Sequence, residues 1–138
     1  MADPTDRLVE VVRAFGGDEL RDVWLFDQWT HQRLFVRRDV ADVLDDVDID
    51  VCIDNERYGF VTRETYETLY YADYEYTLRG FSEFVQFRTF LDDGETRVGV
   101  IASFDRSGGL DPGTLYADLT DLREEFAVSE FTPVRTED

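Results

Sequence analysis

Few residues of this chain could carry out catalysis. There is one histidine, His31, and one cysteine, Cys52. His31 lies in or beside an expected turn, and Cys52 stands among apolar neighbours, which favours a small buried residue over a nucleophile. The sequence has no Cys/His cluster at zinc-ligand spacing and no phosphate-binding glycine loop. We therefore expect no catalytic site, no metal and no cofactor.

An acidic run at 45–50 resembles a calcium loop only superficially. Counted from Asp46, the EF-hand pattern needs glycine where Val51 stands and glutamate where Arg57 stands. The chain has 32 acidic residues, so close carboxylates are expected by chance. The run is therefore interpreted as hydrated surface.

One group of arginines could contact phosphate. Arg33, Arg37 and Arg38 cluster on or directly after the second expected strand, and Arg33 and Arg37 should share a face with Phe35 between them. Acidic residues follow at once from position 39, so nucleic acid is kept only as an alternative partner.

A second group mixes arginine with phenylalanine, the composition enriched at interface hot spots. These candidate partner-binding residues are Arg79, Phe81, Phe84, Arg88, Phe90 and Arg97.

Hydrophobic periodicity indicates the elements that would position these groups. It predicts a helix at 5–15 started by Asp3 or Thr5, a hairpin of strands at 20–26 and 32–37, and a broken helical stretch at 39–70 started by Asp39. A three-stranded meander follows at 74–81, 84–91 and 95–104, and Asp111 starts a last helix. The order α-β-β-α-β-β-β-α predicts an α+β fold with a five-stranded antiparallel sheet and helices packed on it.

Two tight turns fix the faces of the meander, because side chains alternate along a strand. Ser82-Glu83 and Asp93-Gly94 are expected as two-residue loops, the second of type I′. One face, here called the apolar face, should be core: Tyr74, Tyr76, Leu78, Val85, Phe87, Leu91, Val98, Val100, Ala102 and Phe104. The other, the mixed face, carries the six arginines and phenylalanines above, with Arg79 expected beside Gln86 and Arg88 beside Thr77.

Two interpretations of the mixed face remain open. A second helical layer could cover it, with its arginines paired to acidic residues. Alternatively, it could be exposed as a homodimer or partner surface.

The charge balance is interpreted as a sign of the salt concentration around the protein, and not of a binding partner. The net charge is −18, and all 14 basic residues are arginine. Such a charge destabilises a compact state in dilute buffer, whereas about 1 M salt reduces the Debye length to about 3 Å. We therefore expect adaptation to concentrated salt.

Length and the remaining composition predict one cytoplasmic domain over residues 1–138, with loose ends at 1–4 and 132–138. A single cysteine excludes an intrachain disulfide. No signal-like or membrane-spanning apolar run is expected.

The segments Leu34–Val40 and Tyr74–Phe81 resemble those of small acidic haloarchaeal proteins of uncharacterised function, although Arg38 stands where that group usually has an acid. The element order resembles that of roadblock, longin and profilin-like domains. The second resemblance implies dimerisation or a platform for regulators. The expected function is a non-enzymatic interaction or regulatory module that binds a protein partner or itself, with a nucleic-acid regulator or a small-molecule sensor as alternatives.

Overall fold

The structure, a computed structural model, describes residues 3–106 and 109–134. The helices are α1 (Pro4–Gly16), α2 (Arg38–Leu44), α3 (Ile49–Arg57), α4 (Gly59–Leu69) and α5 (Pro112–Glu125). The strands are β1 (Leu20–Phe26), β2 (His31–Val36), β3 (Tyr76–Gly80), β4 (Phe84–Asp92) and β5 (Arg97–Asp105). Short 3-10 helices, Gly17–Glu19 and Val128–Phe131, follow α1 and α5. The predicted order is confirmed, with the middle helical stretch divided into three.

The five strands form one antiparallel sheet in the order β2-β1-β5-β4-β3. Helices pack on both sides of this sheet, so the predicted α+β class is confirmed. The long strands β4 and β5 lie inside the sheet, where their polar backbone groups are paired on both sides.

The sheet has one hydrophobic cluster on each of its two faces. On the apolar face, α1 and α5 cover Phe87, Val100 and Phe104. On the mixed face, Ile53 of α3 and Phe60 of α4 pack with buried phenylalanines and isoleucine of the strands. Helices α2–α4 therefore form the covering layer that the sequence left as one of two alternatives.

The turn predictions have different outcomes. The register Arg79 opposite Gln86 and Thr77 opposite Arg88 is as predicted for a two-residue turn at Ser82-Glu83. At the second turn Asp92 pairs with Arg97, and of the turn residues 93–96 only Gly94 has positive φ. The central residues are therefore 94 and 95, and the type I′ assignment is wrong, because that turn needs two positive φ values. A shift of two residues keeps every side chain on its predicted face.

Some positions depart from the predicted faces of the meander. Tyr74 lies before β3 and packs with the mixed-face cluster instead of the apolar face. Leu78 is 46% exposed, because β3 is an edge strand and the helices do not cover it there.

The β1–β2 hairpin contains a bulge that the alternation rule could not predict. Val23 pairs with Phe35 but Trp24 pairs with Arg33, so Leu34 is an extra residue. Leu34 and Phe35 consequently both pack on the apolar side. Arg33 and Phe35 lie on opposite faces, and the prediction that they share one is wrong.

Chain ends and helix starts also differ in part from expectation. Asp3 and Asp111 start α1 and α5 as predicted, by accepting hydrogen bonds from backbone amides. Asp39 does not start α2, since Arg37 occupies that position. Pro133 is buried and the Val134 amide donates to the Gln32 side chain, so these residues of the predicted loose end are held. Residues 1–2 and 135–138, and positions 107–108 of the predicted Ser107-Gly108-Gly109 loop, lie outside the described residues.

Gly99 allows the ring of Phe26, on the neighbouring strand, to approach the backbone of β5 closely. A Cβ at Gly99 would lie 2.1 Å from Cζ of Phe26, which is fully buried. Gly99→Ala should therefore lower the free energy of unfolding by about 1–3 kcal/mol, the usual cost of overpacking. Denaturant unfolding in about 2 M KCl measures it. Gly80→Ala is the matched strand control, because nothing lies within 4 Å of its added methyl. Equal losses in both variants would contradict this role.

Candidate functional site

The mixed face holds a buried ionic cluster. Glu56 is only 5% exposed, and it accepts from Arg79 Nη2 at 2.5 Å and from Arg88 Nη1 at 2.8 Å. Arg88 Nη2 also donates to Thr77 Oγ1 at 3.1 Å, and the Tyr74 hydroxyl lies 2.6 Å from the same oxygen. These bonds connect α3 to β3 and β4.

The cluster is not fully satisfied. Nε of Arg79 and Nε of Arg88 are buried without a hydrogen-bond partner among the described residues. An unpaired buried donor costs about 1–3 kcal/mol. The main effect of the cluster is therefore to fix the position of the covering helical layer, and its net contribution to stability is small.

The structure places the six predicted partner-binding residues differently. Arg88 and Phe90 are buried under the covering layer, each 9% exposed. Arg79 is half-buried against Glu56, while Arg97 pairs with Glu64 at 2.7 Å. Phe81 is 43% exposed and stacks on half-buried Phe84. The six residues thus do not form one open surface, and Arg88 and Phe90 are inaccessible to a partner in this conformation.

The arginines considered for nucleic acid are also separated. Arg33 and Arg38 are exposed. Arg37 instead makes two hydrogen bonds to Asp105, at 2.7 and 2.9 Å, and two to Asp39, at 2.6 and 3.0 Å. Arg37 therefore acts as a structural link between α2 and β5.

The residues examined for catalysis are dispersed. His31 Nε2 lies 3.9 Å from Asp50, and its ring contacts Trp24. Cys52 is exposed, so its predicted burial is wrong: Ile53 faces the core, and Cys52, one position earlier on α3, is open to solvent. Within residues 3–106 and 109–134 no cluster of three or more His, Cys, Asp or Glu could hold a metal.

The outward side of α4 is exposed and carries no charged side chain. Helical spacing puts Tyr58, Val61, Thr62, Thr65 and Leu69 on one side, opposite Phe60. Tyr58, Val61 and Leu69 are 72%, 68% and 69% exposed. We call these five residues the α4 stripe.

All three charged side chains of α4 bind groups of the same chain. Arg63 binds Asp92 and lies over the Phe90 ring. Glu64 pairs with Arg97, and Glu67 accepts from the Tyr74 amide at 3.0 Å. The helix thereby uses its charges beside the sheet and leaves its outer side apolar.

Threonine hydroxyls on α4 bind their own helix. Thr62 donates to the Tyr58 carbonyl at 2.7 Å, and Thr65 to the Val61 carbonyl at 3.2 Å. These hydroxyls already have acceptors, so covering the stripe would leave no threonine donor unpaired. The stripe has the chemistry of a dry helix-packing surface, although none of the residues 3–106 and 109–134 covers it.

Sequence reasoning missed Glu56 and the α4 stripe. Glu56 occupies a core position, since Ile49, Ile53, Glu56 and Phe60 follow the spacing i, i+4, i+7, i+11. An acid in such a stripe indicates a buried ion pair, and this pattern could have identified it. The α4 stripe was missed because 39–70 was treated as one helical stretch.

The chain belongs to a family described as a domain of unknown function, DUF7522, whose model matches residues 6–124. This match covers the whole sheet and all but the last residue of α5. No curated protein matches the chain. Within the described residues, none of the helices has the length and apolar character required to cross a membrane.

Removing the charge of Glu56 should destabilise the fold. Glu56→Ala leaves buried Arg88 and half-buried Arg79 without their shared acceptor, and breaking a buried pair in this way costs about 3–5 kcal/mol. Glu64→Ala, which removes the exposed pair with Arg97, should cost about 1 kcal/mol or less. Denaturant unfolding in about 2 M KCl compares them. The cluster is not structurally important if the two losses are equal.

The Arg37–Asp105 pair should make stability depend on pH. Hydrogen bonds from Arg37 hold the pKa of Asp105 below its ordinary value near 3.9, with desolvation opposing the shift, and they lower the pKa of Asp39 likewise. The folded state therefore binds fewer protons than the unfolded state in this range, and the contribution is lost as pH falls through the folded pKa. Arg37→Gln should reduce stability at pH 7 and progressively less below pH 4.

Thermal unfolding between pH 7 and pH 2.5 at constant salt measures this dependence. Arg38→Gln, which changes an exposed neighbouring arginine, should give the wild-type pH profile. A pH-independent gap between Arg37→Gln and wild type would contradict the assignment to Asp105.

Proposed function

We propose that this protein is a non-enzymatic interaction module that forms a homodimer through the α4 stripe. The observation that carries the proposal is an outward helix side that is apolar while every charge of the helix binds within the chain. Contiguous exposed apolar surface of this kind is typical of protein contacts.

The charge distribution favours a second copy as the occupant. Residues 39–56 carry eight acids and no basic residue, whereas 58–71 carry two glutamates and one arginine. Two copies, each with net charge −18, would repel less where α4 meets α4 than where the acidic segments 39–56 meet. An isologous two-fold contact would place the same stripe on both partners.

Tyrosines around the stripe would extend the contact. Tyr66, Tyr70 and Tyr71 are 46%, 64% and 102% exposed. Tyrosine gives a large contact area at small conformational cost and is enriched at interfaces. One short helix side with these residues is a modest area, so we expect a dimer that depends on protein concentration.

The salt environment is part of the same proposal. A halophilic cytoplasm would screen the repulsion between acidic copies and leave the apolar contact effective. The resemblance to haloarchaeal acidic proteins supports this setting. A five-stranded antiparallel sheet with helices on both sides supports the proposed likeness to roadblock, longin and profilin-like domains.

Val61→Glu should weaken dimerisation at least tenfold, because it places a charge in the centre of an apolar contact. Sedimentation velocity in about 2 M KCl, over a range of protein concentrations, measures the dissociation constant. Val51→Glu is the matched control, since Val51 is 61% exposed on α3 outside the stripe.

A wild-type chain that stays monomeric at high protein concentration would refute the dimer. Equal weakening by Val51→Glu would refute the role of α4. Arg88→Glu is unsuitable for this test, because Arg88 is a buried partner of Glu56 and its loss would disturb the fold.

A further inference from the structure

A cavity of about 180 Å³ lies between the sheet and helices α2 and α3. An apolar cavity of about 150 Å³ is sufficient to hold benzene, so this one can hold a molecule of about six non-hydrogen atoms or slightly more. Its helical wall is mostly aliphatic: Val40, Val43, Leu44, Val47, Ile49 and Ile53.

Asp22 supplies an acidic group in the opposite wall. It is 8% exposed, and its carboxylate accepts from Ser103 Oγ at 2.6 Å. Asp22 has no ion-pair partner among the described residues. Burying a carboxylate without an opposite charge is costly. A cationic ligand would supply the positive charge that Asp22 lacks.

A bulge in β1 directs this carboxylate into the cavity. Leu20 pairs with Phe104 and Asp22 with Ser103, so Arg21 is an extra residue in β1. Arg21 and Asp22 therefore both line the cavity. Bulges that redirect a side chain are over-represented next to active sites.

The other charges of the wall are already balanced. Arg21 pairs with Asp105 at 3.4 Å and lies over the Phe84 ring at 5.1 Å. Glu56 is bound by Arg79 and Arg88. Asp22 is thus the wall charge that remains for a ligand.

The mouth of the cavity lies between α2 and α3. Val43, Val47 and Cys52 line the cavity and are also exposed to solvent. A small molecule can therefore enter without opening the sheet.

From this geometry we infer that the cavity binds a small aliphatic ammonium compound. The ammonium group donates to Asp22, and the branched alkyl group packs against the helical wall. The site lies away from the α4 stripe, so the inference does not depend on the proposed dimer.

Trp24 lines the cavity and provides a direct readout. Trp29, the second of the two tryptophans, is 86% exposed, so Trp29→Phe leaves Trp24 as the single emitter without disturbing the core. Titration with 3-methylbutylammonium in about 2 M KCl should change Trp24 emission saturably, with Kd of about 1 mM or lower. The neutral isostere 3-methylbutanol and the anion 3-methylbutanoate should bind at least tenfold more weakly. Binding of the alcohol or the acid as tight as the amine, or no saturable change, would overturn the inference.

Asp22→Asn provides the matched test of charge in the same background. It should reduce affinity for the amine at least tenfold and leave the alcohol unchanged. Asp118→Asn removes the same charge from an exposed position on α5, which packs on the other face of the sheet. This control should change neither the affinity for the amine nor the affinity for the alcohol. Unchanged amine binding by Asp22→Asn would contradict the assignment.

Cys52, at the mouth of the cavity, gives a test that needs no substitution in the cavity wall. As the single cysteine it can be labelled selectively, and saturating amine should slow its reaction with a bulky maleimide severalfold. Labelled protein should then fail to bind the amine. An unprotected cysteine at saturating amine would place the ligand elsewhere and overturn the site.

Discussion

The buried carboxylate of Glu56 determines how the second half of this fold is organised. It is the point at which α3 is bonded to both β3 and β4, through Arg79 and Arg88. An apolar residue at this position could pack at several helix rotations, whereas a carboxylate between two guanidinium groups accepts one arrangement. The cluster thus specifies which side of α3 faces the sheet, even though its unpaired Nε donors limit its net stabilisation.

Both candidate surfaces follow from that arrangement. A single residue separates α3 from α4, so fixing α3 over the sheet also places the start of α4. Gly59 there allows α4 to lie close to Phe90 and Arg88. Phe60 then faces inward, and the opposite side of α4 must face solvent. On the other side of Glu56, α2 and α3 leave a space above β1 and β5 that their side chains do not fill. The stripe and the cavity are two results of the same constraint.

The sequence predicted correctly those features that depend on residues close together along the chain. The turn at Ser82-Glu83 and the start of α5 at Asp111 follow from neighbouring residues, and both are confirmed. The extra residues in β1 and β2 arise only when strands pair, so simple alternation assigned the wrong faces around Leu34. The burial of Arg88 depends on Glu56, 32 positions earlier, and no local pattern near Arg88 contains that information. The helical spacing of Glu56 itself was readable, because it places an acid in line with Ile53 and Phe60.

Acidic residues have two distinct roles in this chain, and composition alone cannot separate them. Together the 32 acids leave a formal net charge of −18, and the proposal above is that this charge suits the surface to concentrated salt. Glu56 and Asp22 have the same chemistry but lie under a helical layer, at 5% and 8% exposure. There the surrounding medium screens little, so each carboxylate requires a specific partner. For Glu56 the chain provides two arginines, and for Asp22 it provides one hydroxyl and an adjacent space. Burial, rather than abundance, therefore identifies the carboxylate that holds the helical layer and the one to which we assign a ligand.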